Sequence, residues 1–393
     1  MNVNILILSF YYPPDLSAGS FRTKALVNSL LQNSQKKITI TVLTTQPSRY
    51  DSYAPSAPSI ESREGLTIKR IPVISRCGGI LGQAHLFAQY ARGVLKAVNS
   101  NEYDLIFATS SRMMTATLGA WVAKRVNAPL YLDFRDLLTD ILPDLLPYPI
   151  GAPAAWFFRH VERWTVKQSH SVNLASPGFV NYFKSQYPNK PFTVYTNGVD
   201  DLFIDNPAAM EERTSRQIRI LYAGNIGAGQ GLHHILPKLA NRLANKAKFV
   251  IVGSGSAIKQ LKTALTQHNV TNVDLIEPMK RTDLLSYYNT ADVLFLHLND
   301  LPSLKNVIPS KLFEYAATEK PILGGLSGYS AKFATDNIKN MSVFPPCDIE
   351  SAITALESLN IETTDRRDFV KKYSRKYIVA SMATELLNHT QNT

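Results

Sequence analysis

Three stretches of this chain carry residue types and spacings that could do chemistry, two of them suited to holding an anion. The first is Gly224-Asn225-Ile226-Gly227-Ala228-Gly229-Gln230-Gly231, which follows the apolar run Ile218–Ala223 and opens a helical pattern. Glycines let backbone N–H groups approach a phosphate, and a helix N-terminus adds about half a positive charge. No Gly-Lys-Ser/Thr follows, so this is not a Walker A loop. No acidic residue ends the next strand as a dinucleotide fingerprint requires. The plain alternative is a tight βα turn with no ligand. The second stretch is Pro309-Ser310-Lys311-Leu312-Phe313-Glu314. Pro309 and Ser310 mark a helix start, with Ser310 as candidate cap. Lys311 then falls in the first turn, where the helix dipole disfavours a cation unless both face one anion. Glu314 shares that face at i, i+3, and a carboxylate there can accept two hydrogen bonds from a ribose diol. The alternative is a surface Lys–Glu pair, worth roughly a few tenths of a kcal/mol.

The third stretch is Tyr131-Leu132-Asp133-Phe134-Arg135-Asp136, with charges crowded at the C-terminal end of an apolar run. An α/β site needs them there; the alternative is a structural pair of Arg135 with Asp133 or Asp136. Near the start, Gly19 in the loop Pro13–Arg22 could again bring N–H groups to an anion, with Arg22 in the helix that follows. The alternative is an ordinary loop. Leu145 to Phe158 (LLPYPIGAPAAWFF) has no charge and is followed by Arg159, His160, Arg163 and Lys167. It reads either as a buried loop leading into a core helix or as an apolar lip on lipid with basic residues at the headgroups.

These residues need a frame. Val3–Phe10, Ile38–Thr44, Leu105–Ala108 and Leu130–Phe134 are strand-length apolar or β-branched runs, with helical patterns over 21–30 and 113–125. Residues 47–64 read as an exposed loop. The second half repeats the theme. Strands are expected at 218–223, 249–252, 273–276, 293–297 and 321–323, with helices over about 232–246, 283–289 and 311–317. Strand, helix, strand in series predicts α/β architecture, two Rossmann-like doubly wound domains whose ligand sites face each other across a cleft. The turn-rich run Thr196–Asn206 places the boundary. Residues 1–200 form one domain, 201–367 the second, and a last helix from 368 to about 390 packs back on the first.

Hydrophobic residues make up 45% and charged residues 19% of the 393, which excludes wholesale disorder. Forty-two Lys and Arg against 31 Asp and Glu give +11, and that excess must meet an acidic partner. No nucleic-acid module is visible. No apolar run is long enough for a membrane span. Met1–Phe10 lacks the basic start and cleavage site of a leader and reads as a strand. Cys77 and Cys347 are too far apart for a metal cluster and read as reduced thiols of a cytoplasmic protein.

Taken in order, the motifs resemble those of GT-B glycosyltransferases, and within that fold the retaining family 4 enzymes that build bacterial O-antigen and capsule sugars. YYPPDLSAGSFR resembles the family's loop after the first strand, LDFRDLLTD its "RDLWP" stretch and TNGVDDLF its linker. YAGNIGAGQGL resembles the donor loop, and VIPSKLFEYAATEKPIL the "PSK…E" helix. The resemblance covers nearly the whole chain. It implies a nucleotide-sugar donor, more readily UDP- than GDP-linked, bound by the second domain. A lipid-linked or oligosaccharide acceptor would bind the first, at the inner face of an anionic membrane. It implies a retaining reaction with no cofactor and no metal. Glu314 matches the second glutamate of the family's Glu-x7-Glu motif; Asn306 stands where the first would be. Asn225 and Gln230 stand where the family carries Arg and Lys. Members with the same combination share this exchange, and the diphosphate charge then falls to Lys311, with Arg281 as second candidate. Asp136, or Arg135 beside it, matches the position of the family's catalytic histidine and could act as base toward the acceptor hydroxyl. Competing readings are a nucleotide-sugar 2-epimerase using His297 and Asp136, and a binding protein without turnover.

Overall fold

The computed structural model describes residues 2–32, 37–50, 55–74, 79–98, 103–110, 113–136, 149–206 and 217–390. Cys77, residues 137–140 of the Arg-Asp stretch and 145–148 of the apolar run lie outside them. The chain divides into two units: residues 1–197 joined by the segment from Lys376 onward, and Gly198–Arg375.

The first unit is built on β1 (Asn2–Leu8), α1 (Ala18–Gln32), β2 (Lys37–Thr45), β3 (Ile60–Arg63), β4 (Leu66–Ile71), α2 (Gly79–Ala97), β5 (Leu105–Thr109), α3 (Met113–Val126) and β6 (Leu130–Phe134). It continues with α4 (Gly151–Gln168), β7 (Ser171–Leu174), α5 (Val180–Gln186) and β8 (Phe192–Val194). Its eight strands lie in the order β3-β4-β2-β1-β5-β6-β7-β8, parallel throughout except for the β3–β4 hairpin. β1, β5 and β6 are apolar because both faces of a parallel sheet are covered; all of β5 and β6 is buried.

The second unit begins with the short α6 (Asp201–Ile204), then β9 (Ile218–Ala223), α7 (Leu232–Arg242), β10 (Ala247–Val252), α8 (Ile258–Gln267), β11 (Val273–Ile276), α9 (Arg281–Thr290) and β12 (Val293–His297). It closes with α10 (Ser310–Ala317), β13 (Ile322–Gly325), α11 (Gly328–Asn337), β14 (Met341–Phe344), α12 (Ile349–Glu357) and α13 (Arg367–Lys372). The six strands are all parallel, in the order β11-β10-β9-β12-β13-β14. Alternate residues serve opposite faces: Leu221, Ala223, Val250 and Val252 enter one core, while Ile220, Tyr222, Phe249 and Ile251 enter the other. The sheet order reverses between β9 and β12, the switch point where ligands of such sheets bind.

Three features differ from the sequence reading. Part of the expected loop 47–64 pairs as β3 against β4, whose alternating burial carries Leu66, Ile68 and Arg70 inward. The helix α2 was not anticipated. The expected last helix is two helices: α13 stops, Ser374 bridges to Val199, and α14 (Arg375–His389) restarts. Met382, Ala383 and Leu386 of α14 then fill the core of the first unit beside Val3, Ile5 and Phe107.

Candidate active site

In the second unit the glycine loop leaves the carboxyl end of β9. It is fastened to the loop after β10 by Ile226 N–H to Ser254 O at 2.8 Å and Ala257 N–H to Ile226 O at 2.9 Å. Gly253 is required there, because a Cβ would lie 1.9 Å from the Gly224 carbonyl oxygen. Asn225 donates to Gln230 Oε1 at 2.7 Å, and the Gly227 N–H donates to the same oxygen at 3.2 Å. These two side chains brace the loop from within.

Helix α10 starts at Ser310, with Pro309 at the cap position and no side-chain cap bond. Ser310 is therefore the first helical residue and not the cap; proline supplies the extended φ and ψ that lead in. Lys311 is the second residue of the helix. Its ε-carbon would lie 3.6 Å from a Cβ on Gly224, so its stem runs along the glycine loop. The ammonium reaches Glu314 Oε2 at 2.7 Å. Glu314 is almost wholly buried, so this is no surface pair. Burial works to raise its carboxyl, but Lys311 and Arg281 outweigh that and hold it below the ordinary glutamate range. Helix α10 is tied to β9 by the Ala223 N–H, which donates to the Tyr315 hydroxyl at 2.9 Å. Asn306 is half-buried in the segment leading to α10.

Arg281, the second candidate for the diphosphate charge, reaches two carboxylates. It donates to Asp200 Oδ2 at 2.8 Å, stands 3.6 Å from Glu314 Oε1, and lies over the Phe203 ring at 5.0 Å. Asp200 also accepts from Arg375 and from the Leu202 N–H, capping α6. Asp200 and Arg375 were not foreseen; Asp200 sits in the quoted linker, but nothing in the sequence shows what it meets.

His297 is locked. The Cys347 N–H can only donate, so Nε2 accepts it at 3.0 Å, and Nδ1 carries the proton given to Gln230 O at 2.6 Å. Burial pulls the imidazole down to about 4. It cannot serve as acid or base without breaking that frame.

In the first unit, Arg22 does not face an anion near Gly19. Its guanidinium makes a paired contact with Asp133, at 3.0 and 3.1 Å, and caps the Tyr195 and Thr196 carbonyls. Asp133 also accepts from Asn173 at 2.7 Å. Gly19 is buried in the first turn of α1, beside the Ser17 side chain that caps the helix through Ser20 N–H. Arg135 and Asp136 follow β6, with the Arg135 N–H held by Ser110 Oγ at 2.8 Å. Burial raises the Asp136 carboxyl; Arg135 and Arg49 pull against it. Burial likewise lowers the Arg135 guanidinium, against the attraction of Asp133. Arg49 was missed by sequence reasoning. Its guanidinium lies 5.4 Å over the Tyr11 ring and 5.5 Å over the Tyr50 ring, and its backbone N–H donates to Asp15 Oδ1 at 2.9 Å. It follows β2 by four residues, the only available signal.

Residues 207–377 match the family model of glycosyl transferases group 1, and residues 30–198 match that of the glycosyl transferase 4-like domain. Sucrose-phosphate synthase from Thermosynechococcus elongatus is similar over 100% of both chains, with a TM-score of 0.76 at 12% identity. The chain is a GT-B glycosyltransferase. A glycosyltransferase from Rickettsia africae matches this transferase with a TM-score of 0.66 at 13% identity, over 100% of both chains. Anabaena HepE in complex with UDP-glucose matches with a TM-score of 0.61 at 14% identity, over 99% of this chain and 97% of that one. No curated protein matches it in sequence. At these identities the structural likeness concerns the fold, α/β with two parallel-sheet domains.

Helix α4 of the transferase is not a plain core helix. Ala155, Glu162, Thr165 and Val166 face inward, but Ile150 is 58%, Trp156 65% and Phe157 56% exposed. Arg159, His160, Arg163 and Lys167 are exposed on the same helix. Among the described residues no helix is long and apolar enough to cross a membrane.

Proposed function

We propose that the transferase moves a sugar from a nucleoside diphosphate sugar, UDP-linked, to a hydroxyl of a lipid-linked or polysaccharide acceptor in surface-polysaccharide synthesis. The observation that carries this is Lys311 on the first turn of α10, its stem against the glycine loop and its ammonium beside buried Glu314. Breaking the anomeric C–O bond puts negative charge on the departing diphosphate. Lys311, the α10 dipole and the loop amides stabilise that charge, while Glu314 accepts the ribose hydroxyls. In this reading no divalent metal is needed, because the ammonium supplies the charge. Gly224, Asn225, Gly227, Gln230, Asn306 and Ser310 shape the donor site.

The first unit supplies the acceptor side, with Asp136 as base or steadying group and Arg135 beside it. Retention of anomeric configuration follows from the resemblance to family 4. HepE, a fold relative, is described in complex with UDP-glucose, which supports the choice of UDP donors. The exposed apolar and basic residues of α4 support contact with an anionic membrane at the cytoplasmic face. The locked His297 counts against the 2-epimerase reading.

A thermal-shift panel of nucleoside diphosphate sugars selects the donor, since a ligand of the folded form raises its melting point. With that donor, Lys311→Ala is expected to lower kcat/KM by about 100-fold or more, the scale of losing one charge-stabilising donor, with an unchanged fold. Wild-type kcat/KM in this variant overturns the diphosphate role. EDTA is expected to leave turnover unchanged.

A further inference from the structure

Five charged side chains of the second unit form one chain: Arg375 to Asp200, Asp200 to Arg281, Arg281 to Glu314, Glu314 to Lys311. They come from the start of α14, the turn before α6, the start of α9, and α10. Lys311 is the member against the glycine loop. The side chains of Arg375 and Glu314 are each 5% exposed and that of Arg281 17%. Water screens such groups poorly; against the upward pull of burial, Lys311 and Arg281 hold the Glu314 carboxyl, and Arg375 and Arg281 the Asp200 carboxyl, below the ordinary carboxylate range.

Arg281 is the hinge of this chain of charges. Asp200 Oδ2 holds one of its terminal nitrogens at 2.8 Å, and the Phe203 ring supports the guanidinium plane. The other terminal nitrogen stands 3.6 Å from Glu314 Oε1. That is close enough to stabilise the carboxylate and longer than a direct hydrogen bond. Lys311 meets the other oxygen, Oε2. Oε1 is thus charged and oriented, with lone pairs still available to a hydroxyl.

We infer that Arg281 is a positioning residue that makes Glu314 a reader of a vicinal diol, so that it sets the preference for a ribonucleoside over a 2′-deoxyribonucleoside diphosphate. The inference rests on the proposed role of Glu314. In this role Arg281 acts on the donor through Glu314 and not by a contact of its own. Its loss is expected in donor KM and not in kcat, because it acts on a contact present in both ground and transition states.

The test is calorimetric titration of the full chain with UDP and with 2′-deoxy-UDP, for wild type, Arg281→Met, Arg281→Lys and Asp200→Asn. Wild type is expected to favour UDP by tenfold or more. Arg281→Met is expected to lose about that factor for UDP and to bind 2′-deoxy-UDP within twofold of wild type, so that the preference collapses. UDP binding by this variant is also expected to fail at a higher pH on acidification, because Glu314 protonates more readily without the guanidinium. Arg281→Lys should recover part of the preference. Asp200→Asn loosens the tether but keeps the cation and should shift the ratio in the same direction by less; it decides the matter if Arg281→Met does not fold. A folded Arg281→Met with the wild-type ratio and pH dependence overturns the inference alone, as does equal loss of both nucleotides. A wild type that binds UDP and 2′-deoxy-UDP equally overturns the diol role of Glu314, and this inference with it.

Discussion

Lys311 Nζ stands 2.7 Å from Glu314 Oε2, one helical turn away, at the end of α10 where a cation is least favoured. Glu314 compensates for that placement. The pair keeps an ammonium poised at the glycine loop and gives the buried Glu314 carboxylate its partner.

With Asp136 as the proposed base, activity is expected to have an acid limb. The Asp136 carboxyl is raised by burial, and a base works only when deprotonated. kcat/KM is therefore expected to fall as pH drops through a value above the ordinary aspartate range. Asp136→Asn should lower kcat/KM by about 100-fold and abolish that limb. An unaltered pH profile in the variant rules Asp136 out as base.

His297 makes stability depend on pH. Above its ordinary value of 6.5 it is neutral in folded and unfolded chains and costs nothing. Between 6.5 and about 4 the unfolded chain takes up a proton that the folded one refuses, so stability falls with falling pH; below about 4 the loss levels off. The full effect is about 3 kcal/mol at 1.36 kcal/mol per unit. Urea unfolding of wild type and His297→Asn at pH 5 and pH 8 measures it. The variant should be less stable at both and should lack this part of the pH dependence.

Arg22 and Asp133 are a buried pair from α1 and β6, with side chains 3% and 1% exposed. Removing one partner strands the other charge, so Arg22→Ala is expected to destabilise the first unit by about 3–5 kcal/mol. Replacing Gly19 nearby by alanine, at a first-turn helical position, should cost far less. Equal midpoints for wild type and Arg22→Ala in urea would contradict the structural role assigned to this arginine.

Trp156 and Phe157 should carry membrane binding. Sedimentation with vesicles containing phosphatidylglycerol is expected to pull down wild type and to release the Trp156→Ser/Phe157→Ser double variant by tenfold or more, with donor binding intact. Vesicles of phosphatidylcholine alone should bind less. Equal sedimentation of both proteins would remove α4 from the account.

The α/β pattern was legible because β1, β5, β6, β9, β10 and β12 are apolar runs buried on both faces. The hairpin β3–β4 was not: Ile60–Arg63 is exposed, and Leu66–Ile71 mixes charge with apolar residues because only alternate side chains turn inward. Lys311 and Glu314 were legible because their relation is local, three residues on one helix. The partners of Arg281 were not legible because they lie 81 residues before it and 33 after, and spacing says nothing about contacts at that range. Arg22 was read locally beside Gly19, whereas its partner is 111 residues away.

The first unit receives α14 only after the entire second unit has been made, since Lys376 follows Arg375 in the chain. During synthesis the emerging β1, α1 and β5 therefore lack Met382, Ala383 and Leu386 until the second unit has been made. A stop codon that removes α14 would therefore strike the unit made before Gly198–Arg375 and not that second unit itself.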